Sequence, residues 1–467
     1  MWHSLRRYAD SGCDSGSDSD SDDSIAEESL SPLDAEGFKK IYLLINLPDC
    51  LKCEGAIYLD DGKPSVRRGN THRNRELILE WSNTIEDSMF TRQFRLCRQD
   101  FYVVLQKIKP ILGKDVQKAM NSSGSSVTPQ LMLLITLRIL AGASYLDMIH
   151  YHVHIDSVNK IFWNTVVAIH DAVDNINLAK TELDCKVLAR DWAEIQNQRW
   201  GSYLAVGTIY AGDGLVIETN QPSVRELRGR PISIFRNRKG FWGLIAQGFC
   251  DAYTRFAVFD VMWPGGTNDI VAYNMSDIRS KAKGNHFPSW ATFVLDEAYS
   301  SLGGMHLTPY SVHQLRWAKK KDDGSYYKLL AFNNVLSSQR ITIERAFGIL
   351  VRRWGILWRP ISYGLAKVSK IARVCAMLHN ICVDRWLLTN RCTYCKFKKK
   401  IVLPEVPEHY QVDQLNPCDD EVIERMHNNY LSAREKSRDN SLKVSITNHI
   451  YDAGIRTHSS TEFHDIQ

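Results

Sequence analysis

The sequence predicts an α/β chain in which a helical part precedes a strand-rich part. Three observations carry that prediction: helical spacing of apolar residues from about residue 90 to 180, a switch to β-rich apolar runs after Trp200, and a return to helical spacing from Ser338. The 467 residues, 44% of them apolar, suffice for roughly two to three folded units plus tails. The expected division is an acidic tail over 1–36, a partly basic linker over 37–89, a helical domain over 90–180, an α/β domain over 200–388 and a polar tail over 389–467.

Residues 1–36 hold ten Asp and Glu against Arg6 and Arg7, and the run from Gly16 to Asp23 is almost wholly Ser and Asp. Such a segment buries too little apolar surface to fold and is expected to be a disordered, phosphorylatable tail, with masking of the basic body as the sharper reading. The net charge of +5 therefore leaves +13 on the remainder, the balance of a protein that meets a polyanion. Between Lys63 and Arg75 stand Arg67-Arg68 and Arg73-Asn74-Arg75, a basic cluster of the kind read in nuclear import. No apolar run reaches the roughly 18 to 20 residues of a membrane span, since Leu131 to Leu140 is short and contains Arg138. The first residues show no signal-peptide pattern, and eleven irregularly spaced cysteines read as reduced thiols. The expected setting is the nucleus, with the cytoplasm second, and no membrane.

Phe101, Val104, Leu105, Ile108 and Leu112 recur at helical spacing. Thr128-Pro129 reads as N-cap and first-turn proline of a helix from Leu131 to Ala141, which Gly142 ends. Ser144 opens another helix, and Ser157 can cap a third through Ile161, Phe162, Val166, Ile169 and Val173. Such a set is compatible with helix-turn-helix geometry or with a supporting bundle.

Tyr203 to Tyr210 then reads as a strand ending in Ala-Gly-Asp213-Gly. Gly240 to Cys250 and Thr254 to Trp263 make two more around a turn at Asp251-Ala-Tyr. A helix is expected from Asp269 to about Lys281, a short buried strand from Ala291 to Leu295 delivering Asp296, and a helix from Ser338 to Trp354 with Ile343, Phe347, Leu350 and Trp354 on one face. Three strands, a helix, a strand and a late helix is the order of a ribonuclease-H-like fold.

That order gives three carboxylates a common place. Asp213 would end the first strand, Asp296 the fourth, and Glu344 would lie on the late helix across the sheet. Carboxylates arriving from several directions suit a pair of Mg²⁺ or Mn²⁺ ions about 4 Å apart, the arrangement for in-line displacement at phosphorus. Asp213 would bridge both ions, Asp296 and Glu344 would complete one shell each, and Gly348 would leave room for substrate backbone. Taken singly, Asp213 reads as a turn residue, and Glu344 as an ion-pair partner of Arg340 or Arg345. Asp269, a further acidic candidate, reads better as a helix N-cap than as a ligand.

Cations that could meet DNA are Arg236, Arg238, Lys239, Arg340, Arg345, Arg352 and Arg353, with the stretch from Arg316-Trp317 to Lys321 mixing charge and aromatic rings. A solvated face is the competing reading. Cys50/Cys53 and Cys392/Cys395 have the spacing of half zinc sites but lie far apart in the chain, so a zinc site is not expected. His150, His152 and His154 alternate within a helical region, which is poor ligand geometry.

The chain also resembles the PIF/Harbinger DDE transposases and their domesticated nuclease relatives. The resemblance runs through Gly240-Phe-Trp-Gly-Leu, Trp263-Pro-Gly-Gly-Thr-Asn-Asp269, Val294-Leu-Asp296-Glu-Ala-Tyr299, Leu307-Thr-Pro-Tyr310, Phe332-Asn-Asn, Arg340-Ile-Thr-Ile-Glu344-Arg-Ala-Phe-Gly-Ile-Leu and Leu378-His-Asn380. The segment from Phe90 to Gly142 looks like the family's helical N-terminal region. The resemblance implies a DDE triad at Asp213, Asp296 and Glu344, the last two separated by 47 residues, with divalent metal and double-stranded DNA as cofactor and substrate. It also implies a Myb-like DNA-binding partner and leaves a homo-oligomer open. Two departures are Leu215-Val216, where the family usually has Thr-His, and Glu297 in place of a small residue. The implied activity is that of an endonuclease and strand transferase; the competing expectation is a domesticated, inactive DNA- or chromatin-binding protein.

Overall fold

The computed structural model describes residues 75–113, 127–200, 207–227, 229–321, 323–395 and 441–453. The acidic tail, the Arg67-Arg68 cluster, and Cys50 and Cys53 lie outside the described residues.

The helical part begins at Arg75, inside the segment that composition reads as linker, with α1 (Arg75–Thr84), α2 (Asp87–Phe94) and α3 (Arg98–Leu112). Phe101, Val104 and Ile108 form the buried stripe of α3, as their spacing requires. Thr128 caps α4 (Pro129–Leu140) by accepting from the Leu131 amide, and Pro129 occupies its first turn. Gly142 follows with φ of +105°, and an added Cβ there would lie 3.1 Å from the Gly355 Cα, so this corner admits only glycine without strain. Ser144 does open a helix, but a 3-10 one (Tyr145–Tyr151), whose start is fixed by a capping box between Ser144 and Asp147. The next helix, α5 (Ile155–Ala172), starts before Ser157: its N-cap is His154, whose Nδ1 accepts from the Asp156 amide at 3.3 Å. Of the three alternating histidines, two are thus helix caps: His152 ends the 3-10 helix in a left-handed conformation and His154 opens α5. Helix α6 (Glu182–Trp200) was not anticipated because its buried positions are mostly small or polar, Cys185, Ala189, Ala193 and Gln196 around the single large Trp192.

Five strands follow: β1 (Thr208–Glu218), β2 (Gly243–Cys250), β3 (Phe256–Pro264), β4 (Thr292–Val294) and β5 (His306–Leu307), in the sheet order β3-β2-β1-β4-β5. The first three pair antiparallel, and β4 and β5 add in parallel. The strand expected to end at Asp213 instead starts at Thr208 and runs through it to Glu218. Gly212 and Gly214 are pairing residues opposite Phe249 and Gln247, not turn formers. Gly212 has no side chain because the Phe249 ring fills the space, 2.3 Å from where a Cβ would stand.

The helix expected from Asp269 is two, α7 (Asp269–Asn274) and α8 (Asp277–Lys283), because the Ser276 side chain caps the second by accepting from the Arg279 amide. After α9 (Val312–Lys321) the late helix, α10 (Ser325–Arg353), begins well before Ser338. Among the described residues, α11 (Leu365–Cys395) and α12 (Ser441–Asp452) lie beyond it, the latter packed on α10. None of the described helices is long and apolar enough to cross a membrane.

Helices cover both faces of the sheet. On one face Phe347 of α10 stacks on Phe256 at 5.8 Å, over Gly248, where a Cβ would lie 2.6 Å from the ring. On the other, Tyr210, Phe249 and Phe293 pack with Cys185 and Ala189 of α6 and Tyr273 and Ile278 of α7 and α8. An edge strand left bare exposes a row of unpaired backbone groups, and α11 closes this one. Ser369 and Arg373 donate to the Val261 and Phe259 carbonyls, and the His379 Nε2 donates to the Thr254 carbonyl at 2.9 Å. Asn380 takes the Phe256 amide and donates to the Phe256 and Asn175 carbonyls, each at 2.8 Å.

Candidate active site

The site grows out of the β1–β4 register. Ala211 pairs with Val294, the last parallel pair, and two residues further on come Asp213, within β1, and Asp296, in extended backbone just past the end of β4. Side chains repeat every two residues in a strand, so both carboxylates project on the face of that pair, next to each other where β4 ends. The Asp213 Oδ1 accepts from the Gly214 amide and the Asp296 Oδ1 from the Glu297 amide, both at 2.8 Å. Beneath them Gln247 Nε2 donates to the Asp213 carbonyl (3.2 Å) and to the Tyr299 hydroxyl (3.1 Å), and both side chains are buried. Gln247 and Tyr299 were not singled out from sequence as site residues. Tyr299 belongs to the segment Val294-Leu-Asp296-Glu-Ala-Tyr299, whereas nothing local in the sequence marks Gln247.

The third carboxylate comes from α10. Ile343 and Phe347 turn into the core and leave Glu344 half-buried beside the strand ends. The Arg340 Nη1 lies 2.9 Å from Glu344 Oε1 and 3.8 Å from Asp296 Oδ1. The i,i+4 pair anticipated for Glu344 therefore exists, but the same guanidinium reaches off its helix to β4. Gly348, one turn on, faces open space.

Asp269 is not the N-cap that its position predicts. Asn268 takes that place, and Asp269 is the first residue of α7. Its Oδ1 would stand 2.3 Å from a Cβ at Gly214, so a glycine next to Asp213 is what admits this carboxylate to the site. Burial raises the Asp269 carboxyl above its ordinary range, and the charge of Asp296 adds to that while Arg238 opposes it.

Burial pushes Asp213 up to about 7, and the neighbouring charges of Asp269 and Asp296 add to the shift against Arg340. A carboxyl raised in the folded state contributes full stability below its unfolded value near 4 and loses it as pH rises through 7. Metal-free Asp213→Asn protein is therefore expected to be more stable than the parent at about pH 8, by on the order of a few kcal/mol, the gap closing toward about pH 4. Thermal melting in EDTA across that range checks this; a gap independent of pH would mean the carboxyl is not strained.

Among the cations, Arg236, Arg238 and Lys239 are exposed on the loop before β2, and Arg236 donates to the Gly240 carbonyl at 3.2 Å. Arg345 and Arg352 are exposed on α10, and the charge of Arg345 acts on Cys250. Arg353 is half-buried, its charge and hydrogen bond directed to Cys382 of α11. On α9 the Lys321 ammonium lies 3.7 Å from the centre of the exposed Trp317 ring. Cys392 and Cys395 fall in the last turns of α11, where no side chain is among the described ones. Among the described residues no three His, Cys, Asp or Glu are gathered tightly enough to hold a metal ion.

Comparison with curated proteins and with solved structures gives no match. Comparison with family models gives one: residues 212–380, which span β1 from Gly212 to Asn380 of α11 and contain Asp213, Asp269, Asp296 and Glu344, match the DDE superfamily endonuclease family.

Proposed function

We propose that this chain is a transposase-derived DNA endonuclease and strand transferase, using Mg²⁺ or Mn²⁺ held by Asp213, Asp296 and Glu344 to cut and join phosphodiesters at transposon ends. The observation that carries the reading is the convergence of these side chains, from β1, β4 and α10, within the segment that matches the endonuclease family. The order β3-β2-β1-β4-β5, with a helix bearing the last carboxylate laid across it, supports a ribonuclease-H-like fold.

The chemistry of the donors suits a divalent cation, although the three carboxylates are not drawn tightly together in the metal-free protein. The donors are hard carboxylate oxygens, and Asp213 is crowded by like charge that a cation would relieve. A cation, the guanidinium of Arg340, already lies between Asp296 and Glu344. Bound there, a pair of divalent ions would supply an activated water or 3′-hydroxyl and stabilise the departing oxygen. Asp213, Asp296 and Glu344 would together hold the ions, with the charge of Asp296 acting on Asp213 and Arg340 joining Asp296 to Glu344. Gln247 and Tyr299 hold the Asp213 backbone in place. The charge of Arg238 acts on Asp269, and Arg238 with the exposed Arg236 and Lys239 of the same loop would neutralise phosphates of a duplex. On the PIF/Harbinger reading the protein acts in the nucleus with a Myb-like partner that recognises the ends, as a monomer or homo-oligomer.

Purified protein should nick duplex DNA with Mg²⁺ or Mn²⁺ and not with Ca²⁺, whose looser shell positions the nucleophile badly. Equal cleavage in EDTA sinks the reading. The alternative, an inactive DNA- or chromatin-binding protein, draws on the Arg340 cation between two of the carboxylates and the lack of a tightly gathered metal cluster among the described residues. It predicts salt-sensitive duplex binding with no cleavage under any divalent ion.

A further inference from the structure

The guanidinium of Arg340 spans two elements. It is bound at 2.9 Å to Glu344 on its own helix and lies 3.8 Å from Asp296 beyond β4. An ordinary helical ion pair of this spacing needs only the first contact. The second places a fixed positive charge between two carboxylates that the two-metal reading requires for cations, and no three acidic side chains there are gathered for an ion. Its side chain is 25% exposed, so it is neither locked in the core nor free in solvent. Gly348, one turn beyond Glu344, has nothing within 4 Å of where a Cβ would stand, so α10 leaves open space on the C-terminal side of that carboxylate.

We propose that Arg340 is an internal counter-ion that holds Asp296 and Glu344 together in the metal-free protein, gives way when divalent metal binds, and then contacts a phosphate of the DNA backbone. Arginine suits both states, because its planar fork pairs with carboxylate and phosphate alike. Metal affinity and DNA affinity are thereby coupled: metal entry costs the Arg340 contacts, and the released guanidinium adds one phosphate contact. The inference rests on the two-metal reading of the site.

The test uses the full chain, wild type and Arg340→Gln, with Arg340→Lys as a variant that keeps charge without the fork. Mn²⁺ alone is titrated calorimetrically without DNA. Arg340→Gln should bind Mn²⁺ roughly tenfold more tightly than wild type, a modest coupling between sites, with Arg340→Lys between. Duplex binding is then measured against salt. In EDTA wild type and Arg340→Gln should give the same slope, whereas in Ca²⁺, which supports binding without cleavage, the wild-type slope should be steeper by about one. Equal or weaker Mn²⁺ binding by Arg340→Gln in folded protein overturns the counter-ion role. Equal slopes in Ca²⁺ overturn the transfer to phosphate. A wild type that binds no Mn²⁺ sinks the two-metal reading itself and is distinguishable from both.

Discussion

Asp213→Asn, Asp296→Asn and Glu344→Gln are each expected to lower metal-dependent nicking on the order of 10³-fold, the several kcal/mol that a metal ligand supplies at 1.36 kcal/mol per tenfold. Each exchange keeps the size of the side chain and removes one charge, so folding and duplex binding should persist. Binding in EDTA should rise slightly, since a carboxylate cluster repels phosphate and each variant relieves part of that. Asp269 tests the layout independently. Sequence position makes it a cap that Asn would replace without loss; the structure puts its carboxylate against Gly214, in the field of Asp213 and Asp296. Asp269→Asn is therefore expected to lose about tenfold, the effect of one nearby charge. Full loss in Asp269→Asn with retention in Asp296→Asn would move the second catalytic position from β4 to the start of α7.

The largest stability effect is expected at Asn380. This residue is wholly buried, and its amide satisfies three backbone groups, the Phe256 N–H and the Phe256 and Asn175 carbonyls. Asn380→Leu keeps the volume and strands all three away from water, at roughly 1 to 3 kcal/mol for each group left unpaired. A loss of about 3 to 5 kcal/mol follows, or about 10 °C in Tm for a unit of this size. Calorimetric melting checks it. A change under about 2 °C would show that the edge of β3 is held by the other α11 contacts alone.

The Asn380 case marks a boundary between what was legible in the chain and what was not. Leu378-His-Asn380 stands out as a motif, yet its work is to cap the edge strand, and nothing in its own helix reveals an edge more than a hundred residues away. The same holds for Asn333 in Phe332-Asn-Asn, which takes the Tyr310 amide and donates to the Tyr310 carbonyl. Periodicity and capping chemistry act within a few residues, and they located α3, α4 and the strands around Asp251 from the chain alone.

Sequence by itself also put forward Asp213, Asp296 and Glu344, from the order of strand, strand and helix that carries them and from the family resemblance, although each taken singly reads as a turn or ion-pair residue. It misplaced Asp213 at a strand end, since Ala-Gly-Asp-Gly reads as a turn until a facing Phe249 ring explains the first glycine and a neighbouring Asp269 the second. It made Asp269 a cap for the same reason: capping is decided within one turn, whereas the field of two other carboxylates depends on where β4 and α7 come to rest. Tertiary structure alone decided that Arg340, the helical partner of Glu344, also reaches Asp296, and that Gln247 and Tyr299 support the Asp213 backbone. Those contacts join residues brought together by strand register and helix docking, whose energy comes from burial spread over the whole core and not from any pattern along the chain.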